Sequence, residues 1–168
     1  MNFIVDCMLG KLAKWLKILG FDSLYFSKIE DSDLLALARK EGRVLLSRDN
    51  ELIDKSRDIQ SLFIKSENWN IQVEQVLDDF NLWKDINSYS RCIECNVRLK
   101  DLPKSRARNL VTPFVLEQTD SFSICSGCGR VFWKGTHQQD MEFKIEEILR
   151  KKKKREAAGL QKKPKENK

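Results

Sequence analysis

Four of the chain's five cysteines occur as two matched pairs, Cys92-Ile-Glu-Cys95 and Cys125-Ser-Gly-Cys128. A Cys-x-x-Cys turn places two thiolates on one side of the backbone, and two such turns facing each other close a tetrahedron around Zn²⁺. The residues after the pairs, Asn96 and Gly129, are the two types that most readily accept left-handed backbone. That conformation is expected to let the amides after the turn point at the thiolate sulfurs. A redox dithiol needs one pair rather than two, and disulfides would be reduced in a cytosol. Four thiolates leave no open coordination position, so the expected metal is structural rather than catalytic. Few apolar residues lie between the pairs, so this module is expected to need its zinc in order to fold. Cys7, the cysteine left over, reads as a small buried hydrophobe beside a strand end.

A second constellation is acidic. Asp6 interrupts the apolar run Phe3-Ile-Val-Asp-Cys7, and Asp49 follows Val44-Leu-Leu-Ser-Arg. If both runs are parallel strands in the order 2-1-3-4, the two aspartates flank the point where the strand order reverses, the usual ligand position in such sheets. Asp31 and Asp33 would start a helix at the same edge, and Glu51 lies two residues beyond Asp49. Oxygen ligands of this kind suit Mg²⁺ or Mn²⁺. The bound ion could supply hydroxide and stabilise the charge of an in-line phosphodiester displacement. Helix capping competes as an explanation for Asp31, for Ser32 and for Asp49.

The elements that must position these residues follow from periodicity. Phe3 to Asp6, Leu24 to Phe26, Val44 to Leu46 and Leu62 to Ile64 read as short buried strands. Between them lie helical patterns over Gly10–Leu19, Ser32–Glu41, Asn50–Ser56 and Ile71–Phe80, two of them stopped by Gly20 and Gly42. In the first helix the leucines share one face and Lys11, Lys14 and Lys17 are expected opposite. The alternation predicts an α/β fold, a small parallel sheet flanked by helices, with right-handed crossovers. Residues 81–90 read as a polar linker. Beyond it, β-type runs at 111–116, 122–124 and 131–133 fit a zinc ribbon, and a last helix from about Gln138 runs into Lys151–Lys154. The expected units are 1–82, 91–149 and a disordered Lys-rich tail over 150–168.

The charge is uneven along the 168 residues. Residues 1–90 hold 12 Lys/Arg against 15 Asp/Glu, residues 91–150 hold 10 against 8, and residues 151–168 hold 9 against 2. A tail this basic contacts nucleic acid or an acidic partner, or serves solubility alone. No apolar run approaches the roughly 20 residues of a membrane span, and the lysines after Met8 argue against a signal peptide. The expectation is a cytosolic (cytoplasmic) protein with no membrane partner and no small-molecule cofactor. His137 is the only histidine, which leaves Ser-His or Cys-His nucleophilic catalysis with little support. Lys104-Ser-Arg106-Ala-Arg108 forms a basic segment that could track phosphates, and Lys11 could meet a phosphate near the start of the first helix. Phe114 and Trp133 either fill a small ribbon core, the reading preferred here, or stack on unpaired bases.

Three stretches carry a resemblance. They are Phe3 to Asp22 (FIVDCMLGKLAKWLKILGFD), Glu41 to Asp49 (EGRVLLSRD) and Cys125 to His137 (CSGCGRVFWKGTH). In this order they resemble the Mut-seven C-terminal RNase family, in which a PIN-like nuclease domain precedes a zinc ribbon. The resemblance covers about residues 3–145 and leaves out the tail. It implies a divalent-metal ribonuclease in which Asp6 is similar to the first-strand aspartate of PIN-like nucleases. Asp49 would be the aspartate of their Ser/Thr-x-Asp motif, with Ser47 as its hydroxyl, and Asp31 the intervening acid. Asp33 competes with Asp31, and Glu51 is the nearest candidate for a fourth acid. The implied partner is RNA, free or within a ribosome or other ribonucleoprotein. The rival class is a non-catalytic RNA- or ribosome-binding adaptor, and a less favoured third is a toxin-type nuclease held by a protein inhibitor.

Overall fold

In a computed structural model the described residues are 1–159, and the side chains of residues 136–139 are not described. The His137 side chain and the end of the basic tail, 160–168, therefore lie outside the described residues. The rest forms two compact units, one from Met1 to Asn96 and one from Val97 onward.

The first unit is a parallel sheet of β1 (Asn2–Val5), β2 (Asp22–Tyr25), β3 (Val44–Ser47) and β4 (Ser61–Phe63). Its strand order is β2-β1-β3-β4, with Val5 level with both Tyr25 and Leu46. Four helices connect and follow the strands: α1 (Gly10–Ile18), α2 (Asp31–Glu41), α3 (Asn50–Asp54) and α4 (Trp69–Asp79). The strands are apolar at successive positions because both faces of the sheet are covered. On one face Ile4 and Leu45 pack with Leu34, Leu35 and Ala38 of α2 and Leu52 of α3. On the other, the Phe3 ring meets Phe21 at 6.4 Å and Phe80 at 5.7 Å between centroids. Trp15 of α1 stacks on Trp69 of α4 at 4.4 Å, fixing those two helices together.

The end of α1 is closed by Gly20, at φ +95°. A Cβ here would lie 2.2 Å from the Asn87 carbonyl oxygen, a backbone atom that cannot turn aside. Gly20→Ala is expected to destabilise the first unit by about 1–3 kcal/mol, read as a lower denaturation midpoint. An unchanged midpoint would show that residues 87–90 can move away freely. That segment was expected as a linker, and the structure corrects the expectation. Asn87 and Tyr89 donate their amides to the Leu19 and Ile18 carbonyls at 3.0 and 2.8 Å, satisfying the last turn of α1.

The second unit carries an antiparallel sheet of β5 (Leu99–Leu102), β6 (Phe122–Cys125) and β7 (Val131–Trp133), in that order. Between β5 and β6 lie two short helices, α5 (Lys104–Ala107) and α6 (Pro113–Gln118), and after β7 comes α7 (Thr136–Ala157). Its core cluster is small: Leu102, Ala107 and Phe122 are buried, with Val111, Val115, Leu116, Ile124 and Val131 partly so. Three expectations are overturned here. The run 111–116 is mostly helix rather than strand, since Pro113 occupies the first helical turn, where its fixed φ and missing N–H cost nothing. Lys104–Ala107 is a helical turn rather than a loop. The tail is helical to Ala157, not disordered from residue 150, because Lys, Arg, Glu and Ala are good helix formers and no glycine intervenes before Gly159, at φ +70°.

Candidate functional site

Asp6 follows β1 at the C-terminal edge of the sheet, where the strand order reverses between β1 and β3. Its amide donates to the Leu46 carbonyl at 3.0 Å, continuing the β1–β3 ladder one residue further. The side chain is 6% exposed. The Ser47 hydroxyl, itself fully buried, donates to Asp6 Oδ2 at 2.6 Å and accepts the Asp49 amide at 2.9 Å. Ser47 thus ties the two aspartates to one hydroxyl. Asp49 is the N-cap of α3: its Oδ1 accepts the amides of Glu51 at 2.7 Å and Leu52 at 3.3 Å. Capping therefore does explain one oxygen of Asp49, and Oδ2 takes no part in it.

Asp31 and Asp33 are exposed in the first turn of α2, where no side chain caps the helix. Asp31 Oδ2 lies 3.9 Å from Lys55 Nζ. Glu51 is exposed in the first turn of α3. Cys7 is exposed, which corrects the expectation of a buried hydrophobe. Its hydrogen bond to Asp6, then burial of the sulfur and the Asp6 charge, push the thiol above its ordinary 9.0, and the Asp31 charge adds to this. The Cys7 thiol thus keeps its proton more firmly than an ordinary cysteine, and Asp31 stands near enough to the Asp6 edge for its charge to be felt. Among the described residues, however, the acidic side chains form no group that could hold a metal ion as they stand.

The cysteines do form one. The sulfurs of Cys92, Cys95, Cys125 and Cys128 all lie within 4.8 Å of one another, and none is in a disulfide. A tetrahedral thiolate site with bonds of about 2.3 Å has edges of about 3.8 Å, so the cluster has the dimensions for a metal ion. Both turns have the same form. The Cys95 amide donates to Cys92 Sγ at 3.4 Å, and the Gly127 amide to Cys125 Sγ at 3.3 Å. Asn96 at φ +61° and Gly129 at φ +71° each close their turn on the first cysteine's carbonyl at 2.9 Å. The left-handed conformation read from the residue types is present at both.

The first turn is built into the Met1–Asn96 unit by residues that periodicity did not single out. Lys17, expected on the solvent face of α1, is 7% exposed and donates to the Ile93 carbonyl at 3.0 Å. Burial draws its ammonium below the ordinary 10.5 against the opposing charges of Glu94, Cys92, Cys95 and Asp22. Arg91 donates to the Gly20 carbonyl at 3.0 Å. Asn96 accepts the Ser23 amide at 3.0 Å and donates to Asp22 Oδ1 at 2.8 Å. Asp22 also receives Arg43 at 2.5 Å and lies 3.3 Å from Arg91. Nothing in the local sequence separates Lys17 from Lys14, which also lies between two apolar residues.

Burial raises the Asp22 carboxyl, but hydrogen bonds from Arg43 and Asn96 and the charges of Arg43 and Arg91 outweigh it and hold it below its ordinary 3.8. A depressed carboxyl favours the folded state fully above the unfolded pKa, and that contribution is lost as pH falls through the folded value. Asp22→Asn is therefore expected to cost about 2 kcal/mol near neutral pH. The difference from the unaltered chain should shrink in urea titrations carried below pH 3.8. A difference independent of pH would assign the loss to packing instead.

The residues expected to meet RNA are placed as follows. Lys11 is exposed near the start of α1, with Nζ 5.4 Å above the Trp69 ring. Arg106 and Arg108 are exposed, at the end of and just after α5. Phe114, expected to fill the ribbon core, is 69% exposed, and Trp133 is 40% exposed; Leu102 and Phe122 occupy the core in their place.

No curated protein and no solved structure matches the chain. The model of one family does, the Mut7-C RNAse domain, over residues 1–145. The match takes in the sheet with Asp6 at its edge and both cysteine turns, and stops within α7. On that span the chain belongs to the Mut7-C RNAse domain family.

Proposed function

We propose that this protein is a Mg²⁺- or Mn²⁺-dependent ribonuclease that hydrolyses RNA phosphodiester bonds and carries one structural zinc. The observation that supports this most is Asp6, a nine-tenths buried carboxylate at the switch point of the sheet that makes no ion pair among the described residues. A carboxylate in that position is costly unless something cationic joins it. Asp6 would offer Oδ1, since Oδ2 is held by Ser47. Asp49 would offer Oδ2, since Oδ1 caps α3. Asp31, with Asp33 or Glu51, would supply the outer carboxylates. These carboxylates would hold a divalent ion, whose chemistry there would be to supply a hydroxide and to offset charge on the phosphate. Ser47 orients both aspartates, and protonated Cys7 keeps a donor on Asp6.

Zinc on Cys92, Cys95, Cys125 and Cys128 would be closed to substrate and act by ordering the fold. Arg106 and Arg108, with Phe114 exposed on α6, would hold single-stranded RNA through phosphates and a stacked base. The basic residues after Arg150 would add a salt-dependent share of the affinity. The expected partner is RNA, free or in a ribonucleoprotein such as the ribosome, in the cytoplasm. No helix among the described residues is long and apolar enough to cross a membrane.

The test is incubation of the zinc-loaded chain with labelled single-stranded RNAs, with and without Mn²⁺. Mn²⁺-dependent cleavage supports the reading. A second reading, an RNA-binding adaptor without catalysis, is favoured by the dispersed acidic groups and the capping role of Asp49. It would show as retained RNA binding with no cleavage under any divalent ion.

A further inference from the structure

A cavity of about 360 Å³ runs beside α1, lined by Gly10, Ala13, Lys14, Lys17, Tyr25, Ser27, Ile93 and Glu94. Its place is more telling than its size. One end is Gly10, the first residue of α1, and Tyr25, whose hydroxyl donates to the carbonyl of Cys7 at 3.0 Å, next to Asp6. The other end is Ile93 and Glu94, the two residues between Cys92 and Cys95. All of these belong to the Met1–Asn96 unit.

The wall chemistry selects an anion with a polar body. The Tyr25 hydroxyl already donates to the Cys7 carbonyl, so it can offer a ligand only its lone pairs. The donors left are Lys14, Ser27 and those protons of Lys17 not used by the Ile93 carbonyl. Lys14 is exposed and makes no ion pair among the described residues. Lys17 already faces the charges of Glu94, Cys92, Cys95 and Asp22, so Lys14 is the lining cation left to meet an anion. A volume near 360 Å³ lies at the small end of ligand-site sizes, suited to a single nucleotide and not to a large cofactor.

We infer that this cavity is the subsite for one nucleotide of the RNA strand next to the bond to be cleaved, its phosphate held by Lys14, Lys17 and Ser27. The inference rests on the ribonuclease reading for its orientation toward Asp6, but the nucleotide site can be tested apart from it.

Titrations would use the full zinc-loaded chain without Mg²⁺ or Mn²⁺, followed by amide NMR. The probes are adenosine 5′-monophosphate, adenosine 3′-monophosphate, inorganic phosphate and adenosine. Expected are shifts at Gly10, Lys14 and Ser27 with a monophosphate, none with adenosine, and at least tenfold weaker binding in both Lys14→Ala and Ser27→Ala. A difference between the two monophosphates would report which side of the scissile bond the site holds. Absence of shifts at these amides with either monophosphate overturns the proposal. So does unaltered affinity in both variants, whose spectra otherwise show an intact fold. Mn²⁺-dependent RNA cleavage by the unaltered chain, equally fast in Lys14→Ala, would sink the subsite alone. Lys14-dependent monophosphate binding in a chain that cleaves no RNA would sink the ribonuclease reading and leave the nucleotide site standing.

Discussion

Asp6→Asn is expected to lower Mn²⁺-supported RNA cleavage by at least about 10²-fold while leaving the melting temperature unchanged or raised. The two directions together make the prediction specific. An asparagine of the same shape can still accept the Ser47 hydroxyl through its amide oxygen, so the 2.6 Å bond that joins β1 to β3 survives. What changes is the other atom: an NH₂ group replaces the anionic oxygen to which a divalent ion would bind. Removing a buried carboxylate with no ion pair among the described residues also removes a desolvation cost, and functional residues are often kept at some expense of stability. If Asp6 were only structural, the same change would lower the melting temperature and leave any cleavage untouched. Ser47→Ala is the companion measurement. It leaves Asp6 Oδ2 and the Asp49 amide without their shared partner, so the loss should appear as 10- to 100-fold weaker apparent Mn²⁺ affinity. Full cleavage in Asp6→Asn would remove the β1/β3 edge from consideration as the catalytic centre.

What the sequence disclosed, it disclosed through strong local constraints. The four parallel strands were legible because each is an apolar run between helices, and the order 2-1-3-4, assumed from sequence and found in the fold, brings Asp6 and Asp49 to one edge. The cysteine turns were legible because spacing and the residue that follows each pair leave the backbone little choice, as Asn96 and Gly129 show. Long-range polar contacts were not legible. Lys17 reads like Lys14 in any periodic analysis, and only the Ile93 carbonyl, 76 residues away, separates a buried anchor from a solvent-facing lysine. The linker assignment failed for the same reason: residues 87–90 are polar in side chain, yet the backbone amides of Asn87 and Tyr89 bond the end of α1. In the second unit, Val111 and Val115 gave a β signal that Pro113 should have overruled, and Leu99–Leu102 escaped notice because Lys100 and Asp101 face outward.

The acidic set is where sequence and structure diverge most usefully. Spacing grouped Asp6, Asp31, Asp33, Asp49 and Glu51 as one cluster. The structure gives them unequal burdens: Asp6 is buried and held by Ser47, Asp49 is half committed to a helix cap, and the others are exposed. On the proposed ribonuclease reading, this gradation would favour one ion held mainly by Asp6 and Asp49 over two equivalent ions. Mg²⁺ in particular tends to keep several waters and few carboxylates.

Removal of zinc should act on the chain just as unevenly. Structural zinc supplies about 10–16 kcal/mol of apparent binding energy. The second unit has less to replace it: among the described residues its core cluster buries Leu102, Ala107 and Phe122, with Ile145 and Ile148 buried on α7. The first unit has a core on both faces of its sheet, from Phe3 and Ile4 through Leu45 to Leu77. Hydrogen exchange after treatment with a zinc chelator should therefore show β5, β6 and β7 losing protection while β1 and β3 keep theirs. The cysteine turns should part company. Residues 92–96 are held by Lys17, Arg91, Ser23 and Asp22, none of which needs the metal, so the Ser23 amide bonded to Asn96 should stay slow. The Cys125 turn follows β6 of the second unit, whose small core cluster depends more on the metal, so the Gly129 amide bonded to the Cys125 carbonyl should become fast. Cys125→Ser should reproduce this pattern without chelator. Protection of β5–β6 that persists in zinc-free protein would mean that α5, α6 and α7 stabilise the second unit without a metal, and that the four cysteines serve some purpose other than folding.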